Sequence, residues 1–194
     1  MTTASSLTSF AAAAGEIHGA VVASIVRGAG KTPRSTPPPM GKLLEQLREA
    51  AKLSKADFEK LSKIMDLAKN KPERLADTQR QIRQIDEALQ RKPAAVNPLV
   101  LAISGIANDS ATNALAAQTT PTNGNKSRRQ SHKLEVASTV NVLLADVAGA
   151  VIGGYLAAKA GKTYNVIVQT ALTAGSIASS AVGSGEPFPN FTVK

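Results

Sequence analysis

The sequence contains no cysteine and no tryptophan, and its aromatic side chains are limited to two Tyr and four Phe among 194 residues. The lack of cysteine excludes disulfide scaffolds, Cys-based zinc sites, iron–sulfur clusters and thiol catalysis. The scarcity of aromatic residues removes the large anchors that usually dominate cores and interfaces. Much of the apolar fraction is alanine instead, and so many small side chains favour close helix–helix contact.

Catalytic and cofactor-binding motifs are also missing from the sequence. Two Gly-Lys-Thr fragments, at 30–32 and 161–163, lack the glycine five residues earlier that a phosphate-binding loop needs. The two histidines, His18 and His132, lie in different segments without a matching carboxylate and nucleophile. We therefore predict a protein that is not an enzyme, with no catalytic residues, no cofactor and no metal site.

A net charge of +9 and a pI near 10 favour anionic partners, which include nucleic acid, acidic proteins and anionic membranes. The excess is spread along the chain, since residues 41–93 hold 13 basic and 9 acidic side chains. One dense group stands out, here called the basic cluster: Lys126, Arg128, Arg129 and Lys133. We predict that the basic cluster binds an anionic surface, either lipid headgroups or nucleic acid.

Residues 1–40 are predicted to form a flexible leader with one short helix, over about 8–29, and a Pro-rich linker. The first ten residues are polar and rich in Ser and Thr, and in this they resemble the leaders of bacterial type III secreted effectors. A Sec-type signal peptide is not predicted, because the start lacks Lys or Arg and Glu16 and His18 interrupt the apolar stretch. This interpretation implies a protein that is secreted without a Sec-type signal and is membrane-associated. The alternative localisation is a virion.

The next segment, about 41–117, is predicted to be a charged amphipathic helical block. Within it, residues 41–93 form a helical hairpin or a short coiled coil, and Ser54 with Asp57 is typical of a helix N-cap. The line of apolar residues on its last helix comprises Leu75, Ile82, Ile85 and Leu89. Because charged residues occupy the other faces, we expect this line to bind a partner helix.

After a basic flexible linker at 118–133, residues 134–183 are predicted to form an apolar helical hairpin, followed by a flexible tail at 184–194. The first arm has one charged residue, Asp146, between Val136 and Ala158, and the second arm, Tyr164–Gly183, has none. Each arm is long enough to cross a hydrocarbon core of ~30 Å as a helix. The whole chain is therefore predicted to be all-α.

Both arms carry a small residue at every fourth position, a spacing that lets two helix backbones approach closely. Glycine costs ~1 kcal/mol relative to alanine inside a helix, so repeated glycines at this spacing need a compensating contact. The predicted helix-packing residues are Ala145, Gly149, Gly153, Ala157, Ala171, Gly175, Ser179 and Gly183. The N-terminal segment has the same spacing at Ala11, Gly15, Gly19 and Ala23, which its abundance of Ala and Gly would also produce by chance.

The hairpin is only marginally hydrophobic, and Asp146 at a helix centre costs roughly 2.5–3.5 kcal/mol on insertion into a membrane. Such a hairpin suits a protein that is first soluble and inserts later, and it equally suits the core of a soluble bundle. Our first hypothesis is a membrane-interacting or secreted protein whose layout is similar to that of type III effectors and translocators.

Two other hypotheses stay open. One is an α-helical virus or phage structural protein that self-assembles and contacts nucleic acid. The other is a soluble helical adaptor. A homo-oligomer is expected, with an anionic membrane or a helical protein as the partner.

Overall fold

The computed structural model describes residues 39–119 and 126–191, and this part of the chain folds into six α-helices without strands. The helices are α1 (Gly41–Ala50), α2 (Lys55–Ala68), α3 (Leu75–Gln90), α4 (Pro98–Thr119), α5 (Lys126–Lys159) and α6 (Tyr164–Gly183). The prediction of an all-α fold with a closely packed C-terminal hairpin is confirmed. The leader helix predicted at 8–29 lies outside the described residues.

Local sequence signals mark the start of α2 and both ends of α3. The Ser54 hydroxyl oxygen accepts a hydrogen bond from the Asp57 backbone N–H at 3.1 Å, which confirms the predicted N-cap of α2. A 3-10 turn at Pro72–Arg74 precedes α3, and a second one at Pro93–Ala95 follows it. Proline is tolerated at the first position of each turn because it has no backbone N–H that would need a hydrogen-bond acceptor there.

Helix α4 is the centre of the bundle. Its first half is buried on every side, with Leu99, Leu101, Ile103 and Ile106 at 0% exposure. It packs against α2 and α3 on one side and against α5 and α6 on the other. A helix that is apolar around its whole circumference requires such a position.

The two predicted helical regions share one hydrophobic core. Leu75, Ile82 and Leu89 of α3 are almost completely buried in it, and Ile85 packs against it. The helix that covers this side of the bundle is α4 of the same chain. The expectation that this apolar line receives a separate partner helix is therefore wrong for this fold, because periodicity identifies an apolar face without identifying what covers it.

Helix α5 begins at Lys126, whereas the sequence placed a flexible linker at 118–133 and the hairpin from 134. Five of residues 126–133 are Lys, Arg or Gln, which are good helix formers, and none of the eight is Gly or Pro. The basic cluster consequently lies on the first two turns of α5. At the other end of this region, α4 continues through Thr119.

The turn between α5 and α6 is short and depends on one glycine. Gly161 has φ +67°, a left-handed conformation that glycine adopts without a steric penalty. Its N–H donates to the Ala158 carbonyl at 2.9 Å, and the Lys162 N–H donates to the Ala157 carbonyl at 3.1 Å. These bonds satisfy carbonyls at the end of α5 and reverse the chain into α6.

Candidate functional site: the C-terminal helical hairpin

The hairpin of α5 and α6 is held by contacts that glycine makes possible. A Cβ placed on Gly149 would lie 2.5 Å from the Ala174 carbonyl oxygen, and one on Gly153 would lie 2.6 Å from that of Thr170. From the other arm, a Cβ on Gly175 would lie 3.0 Å from the Asp146 carbonyl oxygen. The two backbones therefore approach closely, as the small-residue spacing requires.

All eight predicted helix-packing residues are buried in the structure. Ala145, Ala171 and Ser179 are at 0% exposure, and Ala157 is at 4%. The structure thus places both predicted stripes inside the protein, and its glycine contacts join one stripe to the other arm.

Gly154 is a packing residue that the sequence analysis missed. A Cβ there would lie 2.8 Å from Cδ1 of Leu99, so this glycine allows the close approach of α4 rather than that of α6. Helix α5 thus has two closely packed sides. Two adjacent glycines, Gly153 and Gly154, were the available signal, because neighbouring helix positions face in directions about 100° apart.

The single charge within the apolar arm of α5 is inside the bundle. Asp146 is at 0% exposure, and its carboxylate accepts a hydrogen bond from the Ser110 hydroxyl of α4. A buried carboxylate needs such a donor, because desolvation of an ionised group without hydrogen bonds is very costly. Spacing along the chain marks Asp146 only as a cost of insertion and does not identify Ser110 as its partner.

A polar junction, formed by Ala51, Asp57, Asn97 and Tyr164, ties the start of α6 to the end of α1 and to the starts of α2 and α4. Within it, the Asp57 carboxylate accepts a hydrogen bond from the Asn97 backbone N–H at 3.4 Å. The Tyr164 hydroxyl donates to the Ala51 carbonyl at 3.1 Å, and Asn97 Nδ2 lies 3.2 Å from the same carbonyl and 3.3 Å from the Tyr164 oxygen. Asn97 Oδ1 accepts from the Leu99 N–H at 3.0 Å, which caps α4. One amide side chain therefore joins three helices.

A second buried carboxylate lies between α3 and α4. Asp86 is 8% exposed and accepts a hydrogen bond from Asn108 Nδ2 at 3.2 Å. Burial raises the pKa of Asp86 above its ordinary value, although hydrogen bonds from Asn108 and Gln90 act to lower it. This arrangement is a structural polar contact, and it lies on the opposite side of α4 from the hairpin.

The outer face of α6, defined by Val166, Thr170, Thr173 and Ile177, is turned away from the bundle. Over the described part of the chain, the exposed large hydrophobic residues are Tyr164, Val166 and Ile177, at 38%, 39% and 49% exposure. All of them belong to α6, which carries no charged residue at any position. An exposed helix face without charge is unusual for a water-soluble surface and typical of an interaction site.

The tail, which was expected to be flexible, packs against the end of the hairpin opposite its turn. Phe188 and Phe191 are partly buried against a small cluster of Val142, Ala145, Ala178 and Val182. The two rings meet edge to face, with centroids 6.0 Å apart. Apolar groups left at that end of the helix pair explain why the tail folds back.

A surface groove of about 540 Å³ lies between α2 and α3. Its lining mixes acidic and basic side chains. Two of them pair with neighbouring residues: Asp66 with Lys69, the residue after α2, and Asp77 with Arg80 of α3. In the described ranges, 39–119 and 126–191, no group of His, Cys, Asp or Glu residues is arranged to hold a metal ion. The hairpin is therefore the better candidate site.

Comparison of the chain with protein families, with curated proteins and with solved structures finds no match. Function is therefore inferred from the hairpin and its surroundings. Val140–Lys159 and Tyr164–Gly183 are each long and apolar enough to cross a membrane by length and composition, although the core helices of soluble proteins pass the same test.

Proposed function

We propose that this protein is a non-enzymatic, membrane-interacting protein of the secreted effector or translocator type, and that its C-terminal hairpin inserts into an anionic bilayer. The observation that carries the proposal is the outer face of α6. It exposes Val166 and Ile177 on a helix of 20 residues without a charge, while the other side of the helix is joined to α5.

Capture by the membrane is assigned to the basic cluster on the first turns of α5. Each Lys or Arg near an anionic membrane surface contributes about 1 kcal/mol of attraction, which weakens as salt screens it. The outer face of α6 then enters the lipid. This second step depends on apolar burial, so high salt does not reverse it.

Deeper insertion requires the hairpin to separate from α4 while its own two arms stay together. The contacts between α5 and α6 lie within the hairpin, whereas the contact of Gly154 with Leu99 and the hydrogen bond of Asp146 with Ser110 connect it to α4. The polar junction is a third connection. The hairpin thus has the organisation of a unit that can be transferred whole.

A soluble helical adaptor is the second candidate, and the burial of α5 favours it. Within the apolar window of Val140–Lys159, 67% of the residues are buried inside the bundle. In this alternative the hairpin is a permanent core, and the outer face of α6 binds protein rather than lipid. The two candidates differ in one observable property, which is salt-resistant binding to lipid.

Flotation of the full-length protein with anionic vesicles, at low and high salt, tests the proposal. We expect the wild type to float at both salt concentrations. Ile177→Glu places a charge on the outer face of α6 and should abolish flotation at high salt. Gln84→Glu makes the same change in charge at an exposed position of α3 and should leave flotation unchanged.

Replacement of all four residues of the basic cluster by Gln provides the complementary variant. It should weaken binding at low salt, where electrostatic attraction contributes, and should have less effect at high salt. If the wild type floats only at low salt, or does not float, insertion is refuted and the soluble adaptor becomes the better account.

A further inference from the structure

Six helix ends meet at one end of the bundle, the end that contains the turn between α5 and α6. The Tyr164 hydroxyl and Asn97 Nδ2 both contact the Ala51 carbonyl, which brings the end of α1 to the starts of α4 and α6. Helices α1 and α2, like α5 and α6, are joined by four residues, and the turn at Pro93–Ala95 joins α3 to α4. Three helices therefore end here and three begin. Their dipoles oppose one another, so the side chains decide the charge of this surface.

Exposed basic side chains are concentrated at this end. The set, here called the turn-end basic surface, comprises Lys52, Arg91, Lys92, Lys159 and Lys162. Within residues 39–119 and 126–191 none of them pairs with a carboxylate, whereas five other basic residues do. Among the acidic side chains nearby, Glu49 is exposed on the last turn of α1, Glu59 pairs with Lys55, and Asp57 is buried. The surface therefore carries a clear positive excess.

Lys52 occupies its place in this surface at a conformational cost. Its φ is 51°, in the left-handed region that residues with a side chain seldom adopt. The turn is fixed by hydrogen bonds, since the Lys52 N–H donates to the Glu49 carbonyl at 3.3 Å and the Leu53 N–H donates to the Arg48 carbonyl at 2.9 Å. A charge that serves the surface gives a reason for lysine at a position that favours glycine.

We infer that the turn-end basic surface binds the anionic headgroups of a membrane, as a second contact beside the basic cluster. It adjoins the outer face of α6 at Tyr164 and Val166, which are 38% and 39% exposed. Tyrosine is enriched where headgroups meet hydrocarbon. Nucleic acid would match the charge of the surface but not the uncharged apolar face beside it, so lipid is the better partner. The choice of lipid rests on the proposed function, whereas the positive charge does not.

Binding of the full-length protein to vesicles at low salt tests this inference. One variant combines Lys52→Gln, Lys159→Gln and Lys162→Gln, and the vesicles contain phosphatidylcholine with or without phosphatidylglycerol. The attraction expected for each residue corresponds to roughly a fivefold change in affinity, so the variant should bind the anionic vesicles on the order of a hundredfold more weakly than the wild type. Arginine at the same three positions keeps the charge and should restore binding, which separates loss of charge from loss of folding.

The matched control removes three positive charges from the other side of α4. It combines Lys63→Gln, Arg80→Gln and Arg83→Gln, at exposed positions of α2 and α3. We expect this control to lose much less affinity than the turn-end variant. Equal losses for the two would show that only net charge matters and would overturn the inference. So would a turn-end variant that binds vesicles normally but binds a double-stranded DNA oligonucleotide more weakly.

The salt dependence separates this inference from the proposed function. If the wild type floats only at low salt, and the turn-end variant loses that binding, insertion is refuted and the headgroup contact stands. If the wild type floats at high salt, and the two variants with three substitutions lose equal affinity at low salt, the turn-end contact is refuted and insertion stands.

Discussion

The α3–α4 contact and the α5–α6 contact hold one bundle together by opposite means. On α3, Leu75, Ile82 and Leu89 fill space with large side chains that are at most 2% exposed. Between α5 and α6, Gly149 and Gly153 leave no space for a side chain at all. The first contact is stabilised by apolar area and the second by the proximity of two backbones. Substitutions should therefore have opposite effects in the two regions. Removing side-chain atoms should destabilise the α3–α4 contact, and adding side-chain atoms should destabilise the α5–α6 contact.

Ile82→Ala should have the largest effect on stability, because it leaves a cavity in a fully buried site. The expected loss in the free energy of unfolding is about 2–5 kcal/mol. Chemical denaturation monitored by circular dichroism measures it. Ile85→Ala, at a partly buried position of the same helix, is the matched control and should cost clearly less.

Gly149→Ala should destabilise the protein although it adds only one methyl group. The new Cβ would lie 2.5 Å from a backbone oxygen that cannot move freely, and overpacking of this kind costs typically 1–3 kcal/mol. Gly41→Ala is the control, because a Cβ on Gly41 meets nothing within 4 Å. The same denaturation experiment should show no loss for Gly41→Ala, and equal losses for the two variants would contradict the account.

Asn97→Ala should weaken the attachment of the hairpin to the rest of the bundle. It removes the cap of α4 and the hydrogen-bonding contacts with Ala51 and Tyr164, for an expected loss of about 1–3 kcal/mol. If separation from α4 limits insertion, this variant should also bind vesicles faster than the wild type in a stopped-flow assay. Asn70→Ala, whose side chain donates to Thr78, is the control, and equal binding rates for the two would contradict this role.

Asp86→Asn should have the smallest effect and should be visible mainly in the pH dependence of stability. Because burial raises the folded-state pKa of Asp86 above 3.8, its contribution to stability is fully present below that pH. The contribution is lost as the pH rises through the raised pKa. The wild type should therefore lose stability over this range relative to Asp86→Asn, as measured by thermal unfolding at a series of pH values.

Asp77 should affect the pH dependence of stability in the opposite direction to Asp86. Hydrogen bonds from Arg80 and Gln81 hold the pKa of this exposed carboxyl below 3.8. The contribution of Asp77 to stability is present above its ordinary pKa and disappears as the pH falls through the lowered pKa. Relative to Asp77→Asn, the wild type should therefore lose stability as the pH falls. Parallel curves for the two variants would show that burial of Asp86 has no energetic effect.

The sequence was sufficient to predict local features and helix faces. Three of these features depend only on the spacing of residues within one helix. They are the cap at Ser54, the apolar line on α3 and the stripes of small residues. Periodicity of this kind is local, so one sequence is enough to read it.

Long-range contacts could not be predicted in the same way. Asn97 and Tyr164 are 67 positions apart, and Ser110 and Asp146 are 36 apart. Nothing in the spacing of these residues identifies their partners. For the same reason the line on α3 was assigned to an external helix rather than to α4, and the phenylalanines of the tail were not placed against the hairpin.

The most direct test of the membrane proposal is the depth of residue 177 in a bilayer. A fluorescent label on Ile177→Cys, in a chain without other cysteines, is measured in anionic vesicles at high salt against quenchers attached to the lipid acyl chains. The account predicts strong quenching at residue 177 and little quenching at a label on Gln84→Cys. Equally weak quenching at both positions would show that the hairpin stays out of the hydrocarbon, and the proposed function would be wrong.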